Sequence, residues 1–115
     1  MIDINEFRRL YEADNHTPGF YINVKGIATE YIIIKYADNV QFGRCGTGDA
    51  TAAYFATLDE MLNADQVDGI NLMRDWAKVE RIYPEGFGTF EEYCHFHKIE
   101  YKGELIDRQS HEEII

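Results

Sequence analysis

Three capping boxes divide this chain and mark the starts of three helices. In each box, a side chain that caps a helix is followed three positions later by a glutamate. This pattern is typical of a helix N-terminus, because the two side chains satisfy backbone N–H groups that the first turn leaves without partners. The boxes are Asp3/Glu6, Thr57/Glu60 and Thr89/Glu92. Together with apolar residues at helical spacing, they predict helices over 4–13, 58–62 and about 90–97, and the spacing alone predicts a shorter helix at 72–77.

Between the first two boxes, apolar and polar residues alternate with the period of two that a half-buried strand requires. Phe20, Ile22 and Val24 show it most clearly. The run from 27 to 36 is rich in β-branched residues and has apolar groups on both faces, which predicts a central strand covered on both sides. Further strands are predicted through Val40 and Phe42, at 52–56, at 79–83 and at 99–106, and the glycine-rich segment 43–49 is predicted to be a loop.

This order of elements predicts a single α+β domain over residues 1–115. We expect an antiparallel or mixed sheet of about five or six strands with three or four short helices. With 115 residues, 45% of them hydrophobic and 14% aromatic, the chain can build one core. The N-terminal sequence has no signal-peptide features, and no apolar run approaches the roughly 18 residues that span a bilayer. We therefore expect a cytoplasmic protein in which Cys45 and Cys94 are free thiols or ligands.

The net charge of −10 is the strongest global signal in the sequence. It is unevenly placed, because residues 1–56 carry −2 and residues 57–115 carry −8. Such a field repels nucleic acid and anionic membranes, whereas it attracts basic surfaces of other proteins. The alternative is that the charge serves solubility alone.

Acidic residues of the second half are the candidate partner-binding residues, because this role requires only exposure and charge. They are Asp59, Glu60, Asp65, Asp68, Asp75, Glu91 and Glu92. The cluster from 59 to 68 does not fit a calcium loop, since Ala64 and Gln66 occupy the first and third ligand positions of that pattern. Tyrosines on or beside the predicted strands are ordinarily half-buried sheet residues, but tyrosines interleaved with carboxylates can also grip an arginine-rich surface.

Cys94 and His97 lie three residues apart on one predicted helix face, a spacing that lets both reach one zinc ion. A closed site needs two more ligands, and the sequence offers Cys45, His16, His111 or a carboxylate. The alternative is that Cys94 packs in the core and His97 is a hydrogen-bonded imidazole at the helix end. Cys45 beside Arg44 could also be a thiolate nucleophile, since a neighbouring cation lowers a thiol pKa, but no histidine base is placed next to it.

In size, charge and lack of catalytic motifs, the whole chain resembles small acidic phage proteins that act on host nucleic-acid-binding machinery, including the anti-CRISPR inhibitors of Cas9. The segment from Thr57 to Leu62 and the Asp68-Gly69 turn share that character. The resemblance is one of type, without a diagnostic motif, so no site residue can be carried over from it.

The resemblance implies a non-enzymatic binding protein in the cytoplasm of the host cell, without a cofactor. It would occupy a basic surface of a nuclease or another nucleic-acid-binding protein, block nucleic-acid loading on a Cas nuclease, and bind neither nucleic acid nor membrane itself. Two alternatives stay open. One is a small zinc-stabilised protein with Cys94 and His97 among the ligands, and the other is a small enzyme that depends on a cysteine or a carboxylate.

Overall fold

The computed structural model describes residues 2–14, 18–47 and 50–101, and these contain four short helices and five strands. In chain order the elements are α1 (Ile4–Ala13), β1 (Gly19–Val24), β2 (Tyr31–Lys35), β3 (Val40–Arg44), β4 (Ala53–Phe55), α2 (Leu58–Asn63), a 3₁₀ turn (Val67–Gly69), α3 (Leu72–Asp75), a second 3₁₀ turn (Trp76–Lys78), β5 (Val79–Pro84) and α4 (Phe90–His97).

All three predicted helix caps are present. The side chain of Asp3 accepts a hydrogen bond from the backbone N–H of Asn5 at 2.7 Å. Thr57 and Thr89 each accept one from the N–H three residues later, at 3.1 and 3.2 Å. The helix starts could be predicted because a cap is a local interaction that the backbone of the first turn requires.

The five strands form one antiparallel sheet in the order β4-β3-β2-β1-β5. The chain is therefore a single α+β domain, as the sequence predicts, with β2 at the centre of the sheet. Phe20 of β1 pairs with Ile33 of β2, which pairs with Phe42 of β3. Residues that pair across neighbouring strands point to the same side, so these three side chains define one face of the sheet.

The helices pack on this covered face around a cluster of aromatic rings. Phe7 of α1 is fully buried, and its ring centroid lies 5.2 Å from that of Phe20 and 5.6 Å from that of Trp76. Phe90 of α4 stacks on Phe20 with a centroid distance of 5.8 Å. Rings at these separations contribute both buried area and favourable pair geometry, so the aromatic cluster joins three helical segments to the sheet.

The central strand is shorter and less covered than the sequence predicts. It begins at Tyr31, and the residues from Ile27 to Glu30 precede it as a loop. Ile33 is fully buried, but Ile32 and Ile34 are only half-buried. The apolar run therefore does not indicate helices on both sides, because within the described residues all helices lie on the covered face.

Two other predictions about strands need correction. A β-bulge between Asn23 and Val24 shifts the register of β1 against β5, so that Val79 and Ile82 both point into the core while Arg81 is exposed. Regular strand alternation would place Arg81 on the same side as Val79. Of the predicted last strand, residues 99–101 belong to no strand, and 102–106 lie outside the described residues.

Candidate protein-binding face

The second face of the sheet carries no helix within the described residues, and we call it the open face. Its side chains follow from the strand register, in which Tyr83 pairs with Tyr21 and Tyr21 pairs with Ile32. A second row across the sheet contains Ile34, Gln41 and Tyr54. Half-buried isoleucines and tyrosines thus lie on a surface that no helix of the described chain covers, while Gln41 is buried and bound to the hydroxyl of Tyr36.

One end of the open face is a tyrosine pair bordered by carboxylates. The ring centroids of Tyr21 and Tyr83 lie 5.3 Å apart, and the hydroxyl of Tyr83 donates a hydrogen bond to Glu30 at 3.0 Å. The guanidinium of Arg81 lies 4.0 Å from the centre of the Tyr83 ring. Burial and the nearby carboxylate of Glu85 raise the pKa of Tyr21, and burial and the hydrogen bond to Glu30 raise the pKa of Tyr83. Both phenols therefore remain protonated hydrogen-bond donors at neutral pH.

At the other end, Tyr36 and Tyr54 line a surface cleft of about 390 Å³ together with Ala37, Asp38 and Asn39. Tyr36 is 41% exposed and Tyr54 is 52% exposed. The hydroxyl of Tyr36 donates to the side-chain oxygen of Gln41 at 3.0 Å, which fixes the position of its ring. Aromatic surface and a carboxylate therefore meet at both ends of the open face.

Three of the seven predicted partner-binding acids are held by basic side chains of the protein itself. Asp59 forms an ion pair with Arg8 of α1 at 2.8 Å. Asp68 accepts hydrogen bonds from Arg44 and, at 2.6 Å, from the hydroxyl of the buried Tyr31. The hydrogen bonds from Arg44 and Tyr31 lower the pKa of Asp68 to about 2. These internal partners neutralise part of the charge of Asp59 and Asp68, which leaves less of it for a binding partner.

Asp75 is the third of these acids, and the structure corrects its predicted place on the outer face of its helix. It is buried, with 8% of its surface exposed. It accepts hydrogen bonds from Arg74 at 2.8 Å and from the backbone N–H of Asn71 at 3.1 Å. These bonds lower the pKa of Asp75. A four-residue helix is too short for its spacing to define an outer face, and the carboxylate turns inward to cap the helix N-terminus.

The other four predicted acids are exposed. Asp65 accepts a hydrogen bond from the side chain of Asn71 at 3.2 Å. Glu60 lies in the first turn of α2, and Glu91 and Glu92 lie in the first turn of α4; the described residues give these three no ion-pair partner. They lie on two different helices, on the side of the sheet opposite to the open face.

The proposed zinc ligands are placed as the helix phase predicts. Cys94 is buried, and burial raises the pKa of its thiol to about 11. His97 is half-buried, and its ring centroid lies 4.5 Å from that of Tyr93. Among the described residues, no three His, Cys, Asp or Glu side chains come together as a metal site. His16 and His111 lie outside those residues, so zinc binding stays a prediction.

Cys45 does not lie in the environment that the sequence suggested. The guanidinium of Arg44 is bound to Asp68, whereas Cys45 begins the turn that follows β3. Burial and the carboxylates of Glu30 and Glu85 raise the pKa of Cys45. Neighbouring acids disfavour a thiolate, so proximity to Arg44 in the sequence does not activate this cysteine.

Sequence reasoning missed Glu30, Asp38 and Glu85 as members of a site. Asp38 stands alone between two predicted strands, and the two glutamates lie 55 positions apart in the sequence. The strand alternation did contain a usable signal: Tyr21, between Phe20 and Ile22, had to lie on the face opposite to the core.

No known protein family, curated protein or solved structure matches this chain. No helix in the described part of the chain is long and apolar enough to cross a membrane. The function therefore has to be inferred from the chain's own residues.

Proposed function

We propose that this protein is a non-enzymatic binding protein that covers a basic surface of a nucleic-acid-binding protein and blocks it. One observation carries the proposal: the open face combines exposed or half-buried tyrosines and isoleucines with carboxylates at both ends. The apolar side chains offer area that a partner would remove from water, and the carboxylates select a partner of positive charge.

The charge of the chain supports the same class of partner. At −10, the protein attracts basic surfaces at long range, and basic surfaces are what nucleic-acid-binding proteins present. Tyrosine is also among the residues that contribute most to binding at interfaces, since its ring is large and rigid and its hydroxyl can donate a hydrogen bond. A partner seated on the open face would be prevented from binding nucleic acid with the same basic surface.

The decisive experiment compares three forms of the protein as bait in a lysate of its host. The first is the natural chain. The second carries Tyr21→Ala and Tyr83→Ala on the open face. The third carries Glu60→Gln, Glu91→Gln and Glu92→Gln on the helical side. We expect the natural chain and the helical-side variant to capture a basic nucleic-acid-binding protein that the open-face variant does not retain, and we expect added duplex DNA or RNA to compete with capture.

Two results would contradict the proposal. One is that the captured protein is not basic or is not displaced by nucleic acid. The other is that the open-face variant captures it as well as the natural chain. If only the helical-side variant loses the partner, the acids of 57–92 are the binding surface and the assignment to the open face is wrong.

A further inference from the structure

The cleft at the Tyr36 end of the open face has the chemistry of a site for one cationic side chain. Its walls include two tyrosines that expose 41% and 52% of their surface, and they account for two of the three large hydrophobic side chains that are exposed in the described part of the chain. The cleft is open to solvent, and its volume of about 390 Å³ is sufficient for one side chain.

The charged group of the cleft is a carboxylate. Asp38 lines the cleft and is exposed. The side-chain oxygen of Asn39 is buried, so Asp38 is the charged acceptor that a ligand in the cleft would meet. Exposed tyrosine rings beside a carboxylate favour a cation that also donates hydrogen bonds.

The opposite end of the open face shows such an arrangement within the protein itself. There, Arg81 places its guanidinium 4.0 Å from the centre of the Tyr83 ring, while Glu30 accepts a hydrogen bond from the same tyrosine. A guanidinium is planar, so it can stack on a ring while its N–H groups reach acceptors in its own plane. A lysine ammonium is a compact and strongly hydrated charge that uses this geometry less well.

We propose that the cleft formed by Tyr36, Asp38, Asn39 and Tyr54 binds the guanidinium of an arginine on the basic partner. The inference rests on the proposed function, since the arginine belongs to the surface that the open face covers. It adds a selectivity that charge alone does not give, because arginine and lysine carry the same charge.

The test uses two peptides of equal charge, hexa-arginine and hexa-lysine, titrated into the full chain at physiological salt with fluorescence anisotropy as the readout. We expect hexa-arginine to bind about two- to fivefold more tightly, as a cation–π contact at an exposed site would give. Tyr54→Leu and Asp38→Asn should each remove this preference. In a spectrum of the isotopically labelled protein, hexa-arginine should shift the side-chain amide of Asn39.

Matched controls distinguish an effect of the cleft from an effect of the total charge or of exposed aromatic surface elsewhere. Glu60→Gln removes one exposed carboxylate from α2, as Asp38→Asn removes one from the cleft. Phe96→Leu removes an exposed aromatic ring, 70% exposed, from α4. Both controls should retain the preference for arginine. Because Asp38 and Tyr54 are exposed, their variants should fold, and circular dichroism checks this.

Each remaining outcome counts against the inference. If both peptides bind equally, or if Glu60→Gln acts as strongly as Asp38→Asn, the cleft does not select arginine, while the proposed binding of a basic surface stands. If neither peptide binds even at low salt, the proposed function fails together with the inference.

Discussion

The two faces of the sheet are made from the same strands, yet they have different chemistry. On the covered face, Phe20, Ile33 and Phe42 are at most 1% exposed and are packed under the helices. On the open face, Tyr54 is 52% exposed, and Tyr21 and Tyr83 are half-buried. The covered face consists mainly of phenylalanine and aliphatic residues, which need no polar partner, and its one strand tyrosine, Tyr31, donates its hydroxyl to Asp68. The open face carries tyrosines whose hydroxyls bind polar side chains, since Tyr83 donates to Glu30 and Tyr36 donates to Gln41.

This difference shows that the stability of the fold and the binding of a partner depend on opposite faces of the sheet. Burial of apolar side chains on the covered face supplies the free energy of folding, whereas the open face retains apolar area that a partner can still bury. The acids divide in the same way. Asp68 and Asp75 are bound by the chain's own arginines, while Glu30 and Glu85 border the open face.

The largest expected effect is on the covered face. Phe7→Ala removes a fully buried ring that contacts the rings of Phe20, Trp76 and Phe90, and it should lower the free energy of unfolding by about 3–5 kcal/mol in urea denaturation. The matched change on the open face, Tyr54→Ala, should lower it by less than about 0.5 kcal/mol, since exposed substitutions rarely do more.

If Phe7→Ala does not fold, Phe7→Leu keeps the comparison measurable with a smaller loss. Equal losses for Phe7→Leu and Tyr54→Ala would show that the open face is part of the folding core and would break the distinction between the two faces.

A smaller effect is expected where β2 and β3 are joined to the 3₁₀ turn at Val67–Gly69. Tyr31→Phe removes the hydrogen bond from a buried hydroxyl to Asp68 and should lower the free energy of unfolding by about 1 kcal/mol. The pKa of Asp68 is about 2 in the folded protein, below its ordinary value of 3.8. Its stabilising contribution is therefore complete above about pH 4 and is lost as the pH falls towards 2.

Urea denaturation at several pH values measures this contribution. The difference in stability between the natural chain and Asp68→Asn should be largest near neutral pH and should shrink as the pH falls from 4 to 2. Parallel curves over that range would mean that the pairing of Asp68 with Arg44 and Tyr31 does not stabilise the fold.

Helix starts and the covered face could be predicted from the sequence because they depend on local patterns. Thr57 and Thr89 cap the residues that follow them directly, and the alternation from Phe20 to Val24 identifies the core side of β1. Strand alternation shows which side chains share a face of the sheet, but it does not show which elements pack on that face. The apolar run that includes Ile32 and Ile34 therefore predicts a strand covered on both sides, whereas these two side chains are half-buried.

The candidate site depends on contacts between distant parts of the chain. Tyr83 meets Glu30 across 53 positions because β5 lies beside β1, and Arg44 meets Asp68 across 24 positions. Neither contact can be predicted from the periodicity of the sequence. Ion pairs and hydrogen bonds between distant segments can be assigned only when the order of the strands in the sheet is known. The acidic charge of the second half was visible in the sequence, but its division between internal ion pairs and exposed surface was not.

The smallest expected effect is that of metal removal, which should leave the covered side of the molecule unchanged. Cys94 faces the core with 1% of its surface exposed, and burial raises the pKa of its thiol to about 11, which disfavours the thiolate that zinc requires. We therefore expect elemental analysis of the purified protein to give no stoichiometric zinc and a chelator to leave the melting temperature unchanged. Cys94→Ser should lower the free energy of unfolding by about 1–3 kcal/mol, because it places a hydroxyl in an apolar site. Zinc binding would be established if the protein contained one zinc per chain, if His97→Ala abolished this binding and if His95→Ala did not. His95 serves as the control because it is exposed on the opposite side of α4. In that case the metal would add to the stability of the covered side, and chelation would lower the melting temperature because the free energy of metal binding contributes to folding.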